Sequence, residues 1–199
     1  MPTGTALRDA RTQLLAAATR VLARDGAGAL TSRAITDEAG VAKGLLHRYF
    51  TDVDDLLVAL VGQRTAQLEE QGARLRDAAG SGTVVANVSR ALTEAIDPVA
   101  VGLIGLAISR DELRTRLRRA GHGGLPTVTA TTAMLSAYLA AERALGRLLA
   151  TAEPDALART LVGTGHLLLA GELGATPDPG AVDEIVETAL VGALRGPAR

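Results

Sequence analysis

Residues 31–50 read TSRAITDEAGVAKGLLHRYF, and this stretch decides the fold. Thr31 stands where a helix N-cap is wanted, because its hydroxyl can accept a hydrogen bond from an orphan backbone N–H one turn in. A short helix over 32–39 then carries Ala34, Ile35 and Ala39 inward. Gly40 breaks it, since glycine adopts the left-handed conformation of a sharp turn without steric cost. A second short helix runs over 42–49, with Leu46 and Phe50 inward and Lys43, Leu45, His47 and Arg48 outward. Two short helices about a glycine turn have the layout of a helix-turn-helix, whose second helix is built to enter a DNA major groove about 12 Å wide.

Upstream, Leu14, Leu15, Ala18, Val21 and Leu22 share one face of a helix over 6–24. Asp25-Gly26 ends that helix, so three helices make up a head over residues 1–50. Downstream, Asp52 followed by Asp55 reads as an acidic capping box. It opens a long helix over 53–77 with Leu56, Leu57, Leu60, Val61, Leu68 and Leu75 at helical spacing. Further helices are predicted over 83–96, from 98 toward the charged stretch 110–119, over 126–145, 154–173 and 181–194. Pro177 and Pro179 form the last connector. No strand pattern and no internal repeat occurs. The expected fold is all-α, about nine helices, with the head at 1–50 and a second helical domain at 51–199.

Composition narrows the function classes. The 199 residues are 47% hydrophobic, contain no cysteine, and carry three aromatic side chains, Tyr49, Phe50 and Tyr138. Disulfides, thiolate nucleophiles and cysteine zinc sites are excluded. The formal charge of −1 conceals an asymmetry: residues 1–50 are net +3 and the remainder net −4, the pattern of a nucleic-acid-facing segment beside an acidic one. Lys43 is the sole lysine. Residues 1–10 show no apolar secretory core. The longest uncharged apolar run, around 99–108, is half the ~20 residues that span a bilayer. A cytoplasmic location is expected. No Ser/His/Asp arrangement, carboxylate pair or phosphate-cradling loop is recognisable, so no enzyme is expected, and no cofactor or metal. Asp111, Glu112 and His122 are a weak metal set, more economically read as surface groups. The five arginines of 110–119, against two acids, read as a solvated helix face rather than a second nucleic-acid patch.

The run Thr31-Ser32-Arg33-Ala34-Ile35, followed by Ala39-Gly40-Val41-Ala42-Lys43-Gly44-Leu45-Leu46-His47-Arg48-Tyr49-Phe50, resembles the signature of the TetR family of transcriptional regulators. The resemblance is strong over about fifty residues; the rest agrees in helix count and length. It implies that Thr31, Ser32 and Arg33 hold phosphates and that Lys43 contacts phosphate or a base edge. Gly44 lets the backbone approach DNA, Leu45, His47 and Arg48 face bases, and Tyr49 reaches phosphate. Three positions depart from the family pattern. His47 replaces the usual Tyr, Leu45 the common Thr or Ser, and Val53 a Lys that donates to phosphate.

The same resemblance implies a homodimer through helices 154–173 and 181–194, whose faces carry small and apolar residues, and a palindromic double-stranded DNA operator. It also implies a small-molecule effector of unknown identity. Candidate effector-binding residues, placed by analogy and helical phase, are Leu60, Arg64, Asn87, Leu103, Leu106, Met134, Tyr138 and His166. Scarce aromatics favour a small or aliphatic effector. The expected function is a ligand-responsive repressor released from its operator by effector. The alternative, motivated by Val53 and Leu45, is an interaction protein of the same fold with weakened or lost operator binding. His166, in an apolar run, is also read as a buried or interface histidine.

Overall fold

The computed structural model describes residues 4–171 and 180–195. Among these the chain forms ten α-helices: α1 (Gly4–Asp25), α2 (Ser32–Ala39), α3 (Gly44–Tyr49), α4 (Val53–Asp77), α5 (Val84–Ala95), α6 (Pro98–Ser109), α7 (Asp111–Arg119), α8 (Pro126–Ala144), α9 (Pro154–Leu169) and α10 (Ala181–Leu190). A 3-10 turn covers Ala27–Ala29, and one isolated bridge joins Leu148 to Leu194. The expected Pro177–Pro179 connector, and residues 172–173 of the expected 154–173 helix, lie outside the described residues.

The count exceeds nine because 110–119 is a helix of its own. Arg110 is extended (φ −118°, ψ 101°) and separates α6 from α7. Asp111 and Glu112 then occupy the first turn of α7 and Arg116, Arg118 and Arg119 the last, the charge order that the helix dipole favours. The sequence pattern marked the charges but not the single extended residue between two otherwise continuous helices.

The described residues gather into two compact units. One comprises the chain through Arg64 together with Pro98–Pro126; the other comprises Thr65–Asp97 and the chain from Thr127. The first therefore adds the start of α4, α6 and α7 to the three N-terminal helices. Its core includes Leu14, Ala18, Leu22, Ile35, Leu46, Phe50, Leu57, Leu60, Leu103, Leu106, Leu113 and Leu117. Helix α6 approaches α1 closely at Gly102: a Cβ there would lie 2.6 Å from Leu22 Cδ1 and 2.9 Å from its Cγ. Leu22 is itself buried in the core of this unit.

In the second unit, α10 packs on α5 and α9, and a buried polar network ties α8 to the loop after α4. Glu142 is completely buried. It accepts from the Tyr138 hydroxyl (2.6 Å), the Gly80 N–H (3.3 Å) and the Arg147 guanidinium (3.2 Å). Asn87 donates to the Tyr138 oxygen and the Ser81 carbonyl, both at 2.9 Å. Burial, then the adjacent Glu142 carboxylate, pushes the Tyr138 hydroxyl well above its usual pKa. It therefore remains a donor, as the network requires. A buried charge is tolerated only when its acceptor positions are filled in this way.

Two predictions follow from this packing. Gly102→Ala should destabilise the protein by about 1 kcal/mol or more through overpacking against Leu22. Gly105→Ala on the same helix, whose Cβ would meet nothing within 4 Å, should stabilise it by roughly 0.5–1 kcal/mol; urea unfolding should thus give opposite signs. Tyr138→Phe should cost about 1–2 kcal/mol by the same measurement, because it removes a buried donor from Glu142.

Candidate nucleic-acid interface

The interface is built from two helices too short to stand alone, and local signals place both. Thr31 is extended (φ −123°, ψ 158°) and its hydroxyl accepts from the Ala34 N–H at 3.1 Å, capping α2. Gly40 is left-handed (φ 65°). Its N–H donates to the Asp37 carbonyl at 3.2 Å, and the Val41 N–H donates to the Thr36 carbonyl at 3.1 Å. This bond pair is a Schellman stop, which consumes the last carbonyls of α2 and turns the chain sharply. Helix α3 begins at Gly44 rather than at 42. Ala42 and Lys43 form the turn before it, with the Leu45 N–H donating to the Ala42 carbonyl at 2.8 Å.

Long-range contacts hold the pair in place. Leu46 is fully buried and Phe50 nearly so, both in the core of the first unit. The Arg11 guanidinium lies 5.2 Å from the centre of the Phe50 ring, within cation–π range. Glu38 of α2 receives Arg20 at 2.6 Å and Arg24 at 2.9 Å from α1. These guanidiniums hold the Glu38 carboxyl below its ordinary pKa.

Ser32, Arg33, Lys43, Gly44 and His47 come together with Thr36 around one open concavity of about 340 Å3 between α2 and α3. Thr31, Arg33, Lys43, Gly44, His47 and Arg48 are exposed; Ser32, Leu45 and Tyr49 are half-buried. Tyr49 also packs against the core. Thr31, Leu45, Arg48 and Tyr49 do not line the concavity. His47 Nδ1 lies 3.4 Å from the Thr51 carbonyl oxygen. In that arrangement Nδ1–H donates and a neutral ring keeps Nε2 as an acceptor. Arg33 has an exposed partner, Asp37, at 3.5 Å, a pair weak enough to exchange for phosphate. Among the described residues, Lys43 and Arg48 make no ion pair. A Cβ on Gly44 would meet nothing within 4 Å, so that position is open to close backbone approach.

Thr36 was not anticipated in the lining of the concavity; it is buried, and its hydroxyl turns back to donate to the Ser32 and Arg33 carbonyls at 3.0 and 3.1 Å. Also unforeseen were the partners of the arginine stretch. Arg110 Nη1 donates to Asp54 at 2.9 Å and Arg116 Nη1 to Asp52 at 2.8 Å. Asp52 accepts from the Asp55 N–H at 2.9 Å, but Asp55 returns its bond to the Thr51 N–H, one residue before the position a capping box uses. The Asp55 N–H first, and then Arg116, hold the Asp52 carboxyl below its usual range.

The eight effector candidates are divided between the units. Leu60, Leu103 and Leu106 are core residues of the first, and Arg64 belongs to it half-buried. Asn87, Met134, Tyr138 and His166 belong to the second. Asn87 and Tyr138 are engaged in the Glu142 network, Met134 packs beside Gly72, and His166 is half-buried. Also in the second unit, the hydroxyls of Thr65, Ser89 and Thr127 are buried without a hydrogen-bond partner. Among the described residues no three acidic or histidine side chains could hold a metal ion, and no single helix is long and apolar enough to cross a membrane.

Residues 14–60 match the family model described as bacterial regulatory proteins of the tetR family. The sequence matches no curated protein at a significant level. Among solved structures, the chain is similar to a transcriptional regulator from Rhodococcus sp. Rha1 (20% identity, 94% of this chain and 99% of that one, TM-score 0.68). It is similar to SmeT, the repressor of the Stenotrophomonas maltophilia multidrug efflux pump SmeDEF (17%, 94% and 91%, 0.62). A third likeness is to the transcriptional regulator FadR from Bacillus subtilis in complex with stearoyl-CoA (17%, 91% and 98%, 0.64). The helix-turn-helix at 32–49 lies inside the segment that matches the tetR-family model, and the chain shares the helical fold of these solved regulators.

Proposed function

We propose that this chain is a homodimeric, ligand-responsive transcriptional regulator that represses by occupying a palindromic operator and is released by a small-molecule effector. The observation that carries the proposal is the concavity between α2 and α3, where Ser32, Arg33, Lys43 and His47 converge around the bare backbone of Gly44. Phosphate contacts fix register and base-edge contacts carry sequence information. In this reading Thr31, Ser32, Arg33 and Tyr49 serve the first role. Lys43 serves either, Leu45 meets a thymine methyl, and His47 and Arg48 read base edges.

One head covers a few base pairs, so a dimer is needed for useful specificity. We assign it to α9 and α10. Leu167 of α9 and Val191 beyond α10 are large apolar side chains left exposed, at 49% and 77%. The buried, unpartnered hydroxyls of Thr65, Ser89 and Thr127 support an effector site in the second unit, since such atoms need a polar partner. Of the effector candidates, Asn87, Met134, Tyr138 and His166 suit that site. Leu60, Leu103 and Leu106 would act through the packing they maintain. Similar structures supply precedent: SmeT is a repressor, and FadR is seen with a bound acyl-CoA. Effector would act by favouring a dimer whose heads are wrongly spaced for DNA. The proposed site of action is the cytoplasm.

Selection of duplexes from a random library by the full chain, followed by anisotropy titration, tests this. The enriched pool should contain an inverted repeat with half-sites about 10 base pairs, or a multiple of that, apart. An unenriched pool would refute operator reading. Lys43→Ala should weaken binding to the selected duplex and reduce the salt dependence by about one counterion. His47→Ala should relax selectivity at one base position, by ~1–3 kcal/mol.

A second reading, an interaction protein of this fold with weakened or lost operator binding, draws on Val53. That side chain packs against the core and offers no donor at the start of α4. If wild-type affinity is weak, Val53→Lys should raise it at least several-fold on the second reading. On the first, the gain should be small, because Lys43 and Arg48 already supply the charge.

A further inference from the structure

The arginine-rich segment 110–119 divides its charges in a way that a merely solvated face would not. Arg114 is used within α7, on Asp111, and Arg118 on the Thr115 hydroxyl. Arg110 instead reaches Asp54, 56 positions away, at 2.9 Å, and Arg116, besides holding Glu112 within α7 through Nε at 3.0 Å, reaches Asp52, 64 positions away, through Nη1 at 2.8 Å. Leu113 and Leu117, each 1% exposed, anchor α7 in the core of the first unit beneath these arms.

Their targets lie at a decisive place. Phe50, Thr51 and Asp52 alone connect α3 to α4. His47 approaches the Thr51 carbonyl, the Thr51 N–H donates to Asp55, and Asp52 Oδ1 caps α4 through the Asp55 N–H. That same Asp52 oxygen receives Arg116. The angle between the two helices is therefore tied to α7 through two ion pairs. The pairs also offset charge: Asp52, Asp54 and Asp55 crowd one turn, beside a helix whose outward groups are suited to a polyanion. Arg116 and Asp52 are 30% and 43% exposed, and pairs so exposed contribute little to overall stability. Their effect is on orientation and local field.

We infer that Arg110 and Arg116 are positioning residues for duplex reading, clasping Asp54 and Asp52 so that α3 is presented at a fixed angle while neither arginine contacts nucleic acid. This rests on the operator-reading proposal above. The clasp acts on base readout, which needs a definite helix angle, and not on general attraction to phosphate.

The test uses the full chain, a duplex selected by the wild-type protein from a random library, and a scrambled duplex of equal length. Affinities are measured by anisotropy across a potassium chloride series, with thermal melts followed by circular dichroism. Arg116→Met should lose roughly tenfold in affinity for the selected duplex, equivalent to about 1.4 kcal/mol. Binding to the scrambled duplex, the salt slope and the melting midpoint should stay close to wild type. Arg116→Lys, which keeps a charge for Asp52, should recover most of the loss, and Arg110→Met with Arg116→Met should lose more than either alone. Unchanged affinity in Arg116→Met would overturn the clasp. So would an equal loss on both duplexes, a salt slope reduced by about one, which marks a direct phosphate contact, or a loss that follows a lowered melting point and is not rescued by Arg116→Lys. A wild-type chain that enriches no duplex would remove operator reading and the clasp together. Enrichment with an indifferent Arg116→Met would remove the clasp alone.

Discussion

A helix of six residues cannot hold its own shape in water. Nucleation costs more than so few internal hydrogen bonds return, and isolated helices remain marginal below about a dozen residues. Helix α3 has six residues, so everything it presents outward depends on what it buries. Leu46 is that anchor, with no exposed surface, and Phe50 extends it one residue past the helix end. The Schellman turn at Gly40 sets where α3 starts, and the Asp52 cap on α4 sets where the chain goes next. Between these fixed ends the polar side of α3 has few conformations left. That pre-organisation is what a reading surface requires, because flexible donors would pay for their ordering in each complex.

The head's positive charge is smaller in effect than its net +3 suggests. Arg20 and Arg24 serve Glu38 and Asp25, and so brace α1 against α2. Arg33 has only its exposed partner Asp37. The cationic field at the concavity comes chiefly from Lys43, with Arg33 and the neighbouring Arg48 in support. On the proposed operator reading, a modest field of this kind favours discrimination between sites. A larger one would raise affinity for every phosphate backbone equally.

Local signals in the amino-acid order were legible wherever a side chain acts on its own turn. Thr31 and Thr83 cap the helices they precede, through Ala34 and Ala86, and Gly40 is left-handed, because each outcome is decided within about five residues. The outward placement of His47 and Arg48 followed from helical phase in the same way, and Lys43 is exposed from the turn just before the helix. Leu45 was less legible, since at the edge of a six-residue helix phase cannot separate exposed from half-buried. What remained hidden was long-range. Glu142 meets Gly80 across 62 positions, and Arg116 meets Asp52 across 64. A charge in a helix does not announce whether its partner is water or a distant carboxylate. The effector candidates show the same limit: Leu60 and Tyr138 are both buried, yet they belong to different compact units.

The start of α4 shows how these constraints meet. A long helix presents uncompensated N–H groups and a partial positive charge at its N-terminus, a natural seat for phosphate. Here Asp52 takes the Asp55 N–H, and Asp54 and Asp55 fill the first turn, so the chain's own carboxylates occupy that seat. Val53 packs against the core and adds no donor. The first turn of α2 is different. Thr31 takes only the Ala34 N–H, and no acidic side chain lies in that turn. As first-turn residues, Ser32 and Arg33 have no intrahelical acceptor for their N–H groups, and both residues line the concavity. On the proposed operator reading, the start of α2, not that of α4, is the helix end left to receive phosphate. On the clasp proposed for Arg110 and Arg116, α4 contributes through the direction in which it holds α3.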